Sequence, residues 1–432
     1  MLGDIVGFVG GNGFPERFQG ACHGDIPFFK VSDMSLAGNE RFLTRANNYV
    51  SRELAASRNW SVVPAGGVAF AKVGAALLLN RRRIMTSDAL VDNNMMAAVP
   101  GTEVHPTWLY WWLQTVDFGL FVQPGALPSV NQGHLRSLRV FLPHYSEQSR
   151  IAVVLNTVDE AIAKTEAVIA KLKQVRAGLL HDLLTHGLDL SACEAQAGEH
   201  GQLRDPIAHP EQFKNSPLGR LPRAWHLTTL IEACLKIADR DHTTPVYVAE
   251  GVRMLSPTHF VGDDEIDFEA CPRISVEAHL QNRAKTDLAV DDVIIHRIGA
   301  GLGRVRLVEA GMPEFSILHS LAMIRPRPHC LRSGFLYWAI QADVIQVQMG
   351  LGTQSIGVPD LGLDKIGGVL MAIPPLGEQE RIADLLNILA TNVRAELRLL
   401  QKLNCLKSGL MNDLLTGRVR VPESISAGDS QS

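Results

Sequence analysis

The segment whose spacing comes nearest to a chemical site is VDDVIIHRIGAGLGRV, residues 290–305. An apolar strand running into Gly299-Ala300-Gly301-Leu302-Gly303 imitates the turn that places backbone N–H groups around a dinucleotide pyrophosphate. That chemistry needs a helix directly after the glycines and an acidic residue ending a second strand about 20 residues on. The chain continues instead with RVRLVEAGMPEF, which reads as another strand and a turn. A related stretch, VAFAKVGAALLLNRR at 68–82, keeps only one of the glycines. A β-hairpin turn flanked by basic residues accounts better for both. A nucleotide-cofactor enzyme using the glycine turn is kept as an alternative function.

The flanking cations are the best candidates for contacting nucleic acid. Matching the two stretches at an offset of 225 sets Lys72 against Arg297 and Arg81 against Arg306, with Arg82, Arg83 and Arg304 beside them. An arginine can grip guanine with two hydrogen bonds or neutralise a phosphate, and residue type does not decide between these roles. Each could equally be a solvated surface charge. Asn131 and Gln132 could read adenine but fit a polar loop better. The aromatics Trp108, Tyr110, Trp111 and Trp112, echoed by Phe335, Tyr337 and Trp338, are spaced for a helix packed on its own domain. His181 and His186 are five apart, not the i, i+4 pair of a zinc helix. The Asp and His of RDHTTP (240–245) have no nucleophile motif with them. Neither an N-P-P-[YF] or D-P-P-[YF] tetrapeptide, of the kind amino-methyltransferases use, nor a phosphate loop G-x-x-x-x-G-K-[ST] occurs. No catalytic residue and no metal ligand is assigned.

The 432 residues are 46% hydrophobic and 20% charged, enough for more than one buried core, and the net charge of −4 leaves room for a basic face on an acidic body. Six scattered cysteines without a C-x-x-C pair argue against structural zinc and a disulfide framework, and fit a reducing cytoplasm. The amino end, with Asp4 and small residues, does not read as a signal peptide, and Lys72 interrupts the most apolar run.

These candidates sit inside a duplication. Residues 143–187 and 374–418 align without gaps at an offset of 231 with 16 identities in 45 positions, including Glu147/Glu378, Gln148/Gln379, Arg150/Arg381 and a closing Asp-Leu-Leu-Thr. Weaker echoes upstream, WLYWWLQ (108–114) against FLYWAIQ (335–341), keep the same order. Each strong segment predicts a long helix, with Ser146 or Gly377 as N-cap, a glutamate in the first turn, and Gly187 or Gly417 closing the end. Apolar residues fall in alternating steps of four and three at Ile151, Leu155, Val158, Ile162, Ile169, Leu172, Leu179 and Leu183. In the second copy they are Ile382, Leu386, Leu389, Val393, Leu400, Leu403, Leu410 and Leu414. Such a seam, about 37 residues and roughly 55 Å long, calls for a partner helix, and the duplication supplies one. The expected fold is α+β: two tandem-duplicated globular domains, separated and joined by two long helices packing as an antiparallel coiled coil.

The pattern P-x-x-x-E-Q-x-R-I, a long amphipathic helix and D-L-L-T-G, present in the middle and again at the end, resembles the conserved regions of the specificity (S) subunit of type I restriction–modification enzymes. GDIPFFKVSDM (24–34), PRAWHLTTLIEA (222–233), VGDDEIDFEACPRIS (261–275) and HSLAMIRP (319–326) look like stretches of its target-recognition domains. The resemblance implies a first recognition domain at 1–142, a central helix at 143–187, a linker at 188–216, a second recognition domain at 217–373, a C-terminal helix at 374–418 and a disordered tail at 419–432. The second domain is preceded by NSPLGRLPRAWHL, a lead-in without counterpart before MLGDI, so either a truncated first domain or a true start upstream is expected. The implied function is that of a non-catalytic, cytoplasmic DNA-binding subunit of a restriction system. Each domain would read one half of a bipartite double-stranded target while the helices set the gap and dock two modification (methyltransferase) subunits, with restriction (translocase/nuclease) subunits completing the complex. S-adenosylmethionine, ATP and Mg would be bound by those partners and none by this chain. A coiled-coil protein scaffold without DNA binding is the remaining alternative.

Overall fold

The computed structural model describes residues 1–122, 128–190, 201–350 and 360–424. Two compact units emerge, one made of residues 1–167 and 397–432, the other of 168–396.

In the first unit β1 (Val6–Gly10), β2 (Val68–Ala71), β3 (Arg82–Met85) and β4 (Met95–Pro100) form an antiparallel sheet in the order β1-β4-β2-β3, and Phe42–Leu43 adds a parallel strand beyond β3. Successive side chains of a strand point to opposite faces. Val68, Phe70, Met96 and Ala98 therefore pack under helix α1 (Pro106–Gln114). Ala69, Met95 and Ala97 face a second cluster with Phe29, Met34 and Val91. With both faces covered, the strands carry almost continuous apolar sequence. A small outer sheet sets Ile26–Phe29 between Tyr49–Val50 and Leu90–Val91, with a short helix from Arg52 capped by Ser51.

The second unit repeats this plan. Strands β5 (Cys234–Asp239), β6 (Val293–His296), β7 (Val305–Leu307) and β8 (Leu321–Pro326) run in the order β5-β8-β6-β7, with helix α3 (Ser333–Ile340) in the place of α1. An outer sheet holds Val252–Leu255 between Arg273–Ile274 and Phe315–Ile317, and a helix capped by Ser275 follows. Within the segment expected as a linker, Leu188–Asp189 pairs with Gln202–Leu203, while Phe213–Ser216 at its end pairs with Gly219–Pro222 of the expected second domain. Residues 191–200 of that segment, and 425–432 of the tail expected to be disordered, lie outside the described residues.

The glycine turn joins β6 to β7, which pair antiparallel, and Gly299, Gly301 and Gly303 all have positive φ. A strand follows the glycines where a nucleotide site requires a helix N-terminus, so the cofactor-binding alternative fails on topology.

The long helices are α2 (Tyr145–Thr185) and α4 (Leu376–Leu415). Neither starts at the expected N-cap. The N–H groups of Glu147 and Gln148 donate to the His144 carbonyl, and those of Glu378 and Gln379 to the Pro375 carbonyl, so Ser146 and Gly377 lie inside the first turns. A carbonyl supplied from the turn before each expected cap moves both starts towards the amino end. Gly187 and Gly417 follow the helix ends with φ of 68° and 76°, the left-handed region glycine tolerates. All sixteen seam residues are buried or half-buried. Within the first unit Ile151 and Leu155 share a core with Leu410 and Leu414, and Lys407 reaches Asp159, so the two chains run antiparallel there. Within the second, Leu183 and Leu184 meet Ile382 and Leu386 in the same antiparallel sense. Among the described residues no helix is long and apolar enough to cross a membrane, and no group of three or more His, Cys, Asp or Glu could hold a metal ion.

Candidate nucleic-acid interface and its supports

The repeated Glu-Gln pair has a different task from the helix-dipole role its position suggests. Gln148 is fully buried; its Oε1 accepts from the His105 N–H at 2.8 Å, and its Nε2 donates to the carbonyls of Glu103 (2.8 Å) and Pro143 (2.9 Å). Gln379 does the same with the Arg332 N–H and the carbonyls of Cys330 and Pro374, each at 2.8 Å. His105 and Arg332 are the residues that cap α1 and α3, so each glutamine fastens the start of an aromatic helix to the first turn of a long one. About two turns further along each long helix, Trp111 Nε1 donates to Asn156 Oδ1 at 2.8 Å, and Trp338 Nε1 to Asn387 at 2.9 Å. A buried indole N–H needs such a partner.

The glutamates hold the chain that leaves the opposite helix end. Glu147 accepts from the Val421 N–H and from the Arg420 guanidinium, whose bond holds its carboxyl below the usual range. Glu378 accepts from the Leu188 N–H at 2.8 Å, from Arg204 at 2.6 and 3.2 Å, and from Trp225 Nε1 at 3.1 Å. Charge-assisted bonds to a nearly buried carboxylate are the strong kind.

The basic candidates divide into two groups. Arg306 is 1% exposed and donates to the carbonyls of Val261, Gly262, Asp263, Glu265 and Val305. Arg83 is its counterpart: register places Arg83 opposite Ala69 and Arg306 opposite Ile294, and Arg83 donates to the carbonyls of Arg82 and Met34. The pairing of Arg81 with Arg306 is thus corrected by two residues, the extra length of the first hairpin. Arg82 is fully buried beneath Phe118, bonded to the Val116 carbonyl, and burial pushes its pKa down to about 10. Arg297 lies buried against the carbonyls of His319 and Leu361 with Asp239 and Asp360 nearby. These four arginines tie loops to sheets, and their donors face inward; they are withdrawn as DNA contacts. Lys72, Arg81 and Arg304 are half-exposed, Arg81 bonded to Ser35 and Arg304 to the carbonyls of Phe260 and Gly262. Asn131 caps a short helix through the Gly133 N–H. Two cations were not singled out from sequence: exposed Arg17 and Arg58 stack on the Phe18 ring at 4.9 and 5.0 Å.

No family model matches the chain. Two curated relatives from Methanocaldococcus jannaschii do: the MjaX specificity subunit of a type I restriction enzyme, 25% identical over 319 residues, and the MjaVIII specificity subunit, 21% identical over 299. Each alignment covers 68% of this chain, and they span 62% and 65% of the relatives' own length. Among solved structures, the S subunit of a type I restriction–modification system from M. genitalium superposes with a TM-score of 0.57 at 15% identity, covering 96% of this chain and 94% of that one. A chain from a structure of type I restriction–modification complex assembly and conformational transition gives 0.52 at 17% identity, covering 97% of both. This chain has the fold of the type I specificity subunits and resembles them in sequence. That agrees with two duplicated α+β units on long helices, each fastened by the same glutamine and asparagine.

Proposed function

We propose that the chain is the non-catalytic DNA-recognition subunit of a type I restriction–modification complex in the cytoplasm. The observation that carries this reading is the duplication of a whole assembly: the same sheet order, the same aromatic helix and the same Gln and Asn fastenings occur twice. A protein that builds two reading modules alike, then lets their outer sheets and loops diverge, is suited to a ligand with two dissimilar half-sites. Double-stranded DNA offers such half-sites at a helical spacing of about 34 Å. The long helices would set the unread gap and offer their outer faces to two methyltransferase subunits, restriction subunits completing the complex. S-adenosylmethionine, ATP and Mg would belong to those partners. Half-exposed Lys72, Arg81 and Arg304, with exposed Arg17 and Arg58, would be among the cations that meet phosphate or base edges.

The test is a map of adenine methylation in the host genome with and without the gene. Loss of methylation at one split motif of fixed gap supports the reading. Methylation unchanged at every motif, with the gene expressed alongside its methyltransferase, counts against it.

A further inference from the structure

In each unit a loop beside a short strand meets the long helices: in the first it precedes Phe42–Leu43, and in the second it joins Phe260–Val261 to Glu265–Ile266. In the first unit the loop residue is Arg41. Its guanidinium lies 5.7 Å from the Tyr110 ring and 5.4 Å from that of Trp111, and bonds Asn156 on α2. Burial works against its charge, while Tyr110 and the α2 carboxylates Asp159 and Glu160 favour it; Asp159 is itself paired with Lys407 of α4. In the second unit the loop residues are Asp263 and Asp264. Asp264 pairs with Arg394 on α4 at 2.9 Å and Asp263 with Arg176 on α2 at 2.7 Å.

The signs are opposite: a basic loop against acidic helix in one copy, an acidic loop against basic helix in the other. The repeat alignment shows that both sides have changed. At the offset of 231, Asp159 and Glu160 correspond to Ala390 and Thr391, and Arg394 corresponds to Ala163. One position is shared: Lys407, the counterpart of Arg176, bonds Asp159 and lies 4.9 Å from the Trp111 ring. Elsewhere the fastenings are interchangeable, because Gln148 and Gln379 read the same main-chain groups. At this junction they are not.

We propose that the two lobes are keyed, each to its own helix junction, by complementary charge, with Arg41 in one copy and Asp263 and Asp264 in the other as positioning residues. A second-unit lobe set in the first position would leave Asp264 facing Asp159 and Glu160 with Ala163 in place of its partner Arg394, while Asp263 would still find a cation, Lys407, at the Arg176 position; the reverse exchange would bring Arg41 against Arg394. Like charges held together at a half-buried junction repel, and no rearrangement of the glutamine fastening relieves this. The consequence for DNA recognition rests on the function proposed above, since keying would fix which half-site reader stands in which position.

The experiment uses full-length chains free of DNA and partners, so its failure is separate from failure of the DNA-binding reading. In one chimera residues 230–340 replace 2–113, which are matched at both ends. A second chimera adds Asp159→Ala, Glu160→Thr and Ala163→Arg, giving the first junction the second junction's residues. Hydrogen exchange is followed in peptides running from the grafted helix Ser333–Ile340 into Gln114 and Thr115, which distinguishes it from the natural copy that runs into Gln341 and Ala342. Exchange at least about tenfold slower in the second chimera supports keying, the size expected when a charge-assisted pair replaces a repulsive one. Equal exchange in the two overturns it. A milder cycle covers chimeras that do not fold: Asp264→Arg in the natural chain speeds exchange in residues 260–266, and Arg394→Asp added to it restores protection. If Arg394→Asp gives no restoration, Asp264 contributes packing alone and the proposal falls.

Discussion

Replacing Gln379 with methionine, which is close to it in volume, removes three hydrogen bonds and little else. The side chain is fully buried, and all its partners are main-chain groups: the Arg332 N–H and the carbonyls of Cys330 and Pro374. At about 1 kcal/mol net for each bond, the loss is about 3 kcal/mol, with more where the Arg332 N–H finds no water. The cost falls on the start of α3, so the local opening constant of Ser333–Ile340 should rise about 100-fold, taking roughly 1.4 kcal/mol per factor of ten. Hydrogen exchange read by mass spectrometry resolves this helix from α1, its counterpart in the first unit. Gln148→Met should produce the mirror result, loosening Pro106–Gln114 and sparing α3. If Gln379→Met leaves α3 as protected as before, or loosens both helices alike, the glutamine is not the local fastening described.

Lowering the pH should release the tail at Arg420–Val421. Glu147 has a folded-state pKa held below its ordinary 4.5 by the Arg420 bond, so its contribution is complete above that value and is lost as pH falls through the depressed one; Glu147→Gln should abolish the effect in a pH series of amide exchange. Gly417→Ala places a Cβ 2.5 Å from the Phe141 ring at a φ of 76°, and should cost at least about 1–2 kcal/mol by denaturant unfolding, part of it recovered with Phe141→Ala. Asn387→Ala should strand the Trp338 indole N–H and cost about 1–2 kcal/mol, with a shift in tryptophan emission. Lengthening both long helices by about four residues, one turn, should widen the gap in the methylated motif and leave both half-sites unchanged; altered half-sites would contradict the helices' role as spacers.

The long helices and the duplication were legible because they are written in periodicity and identity, which survive divergence. Burial of all sixteen seam positions and the capping of both ends by glycine follow from side-chain type alone. The fastenings were half legible. Glu147 and Gln148 stand out as repeated residues, yet their partners are mostly backbone N–H and C=O groups, which carry no residue signature. The arginines show the opposite difficulty. Arg82, Arg83, Arg297 and Arg306 look like a basic surface because arginine is usually exposed, and only the loops folded over them turn their donors inward. The two-residue slip between Arg81 and Arg83 has its own cause: an ungapped offset cannot see a hairpin that changes length, whereas strand register can.

A socket that binds only main chain is indifferent to the side chains of the part it holds. Gln148 and Gln379 would grip a lobe of almost any composition so long as one N–H and one carbonyl arrive before a helix and the proline carbonyl stays in place. Inheritance can therefore treat the two sides of the socket differently. The helical side keeps 16 identities in 45 positions between its two copies. The lobe side can vary in sequence with this attachment intact, apart from the charges of Arg41, Asp263 and Asp264 that are proposed above to key each lobe to its own junction.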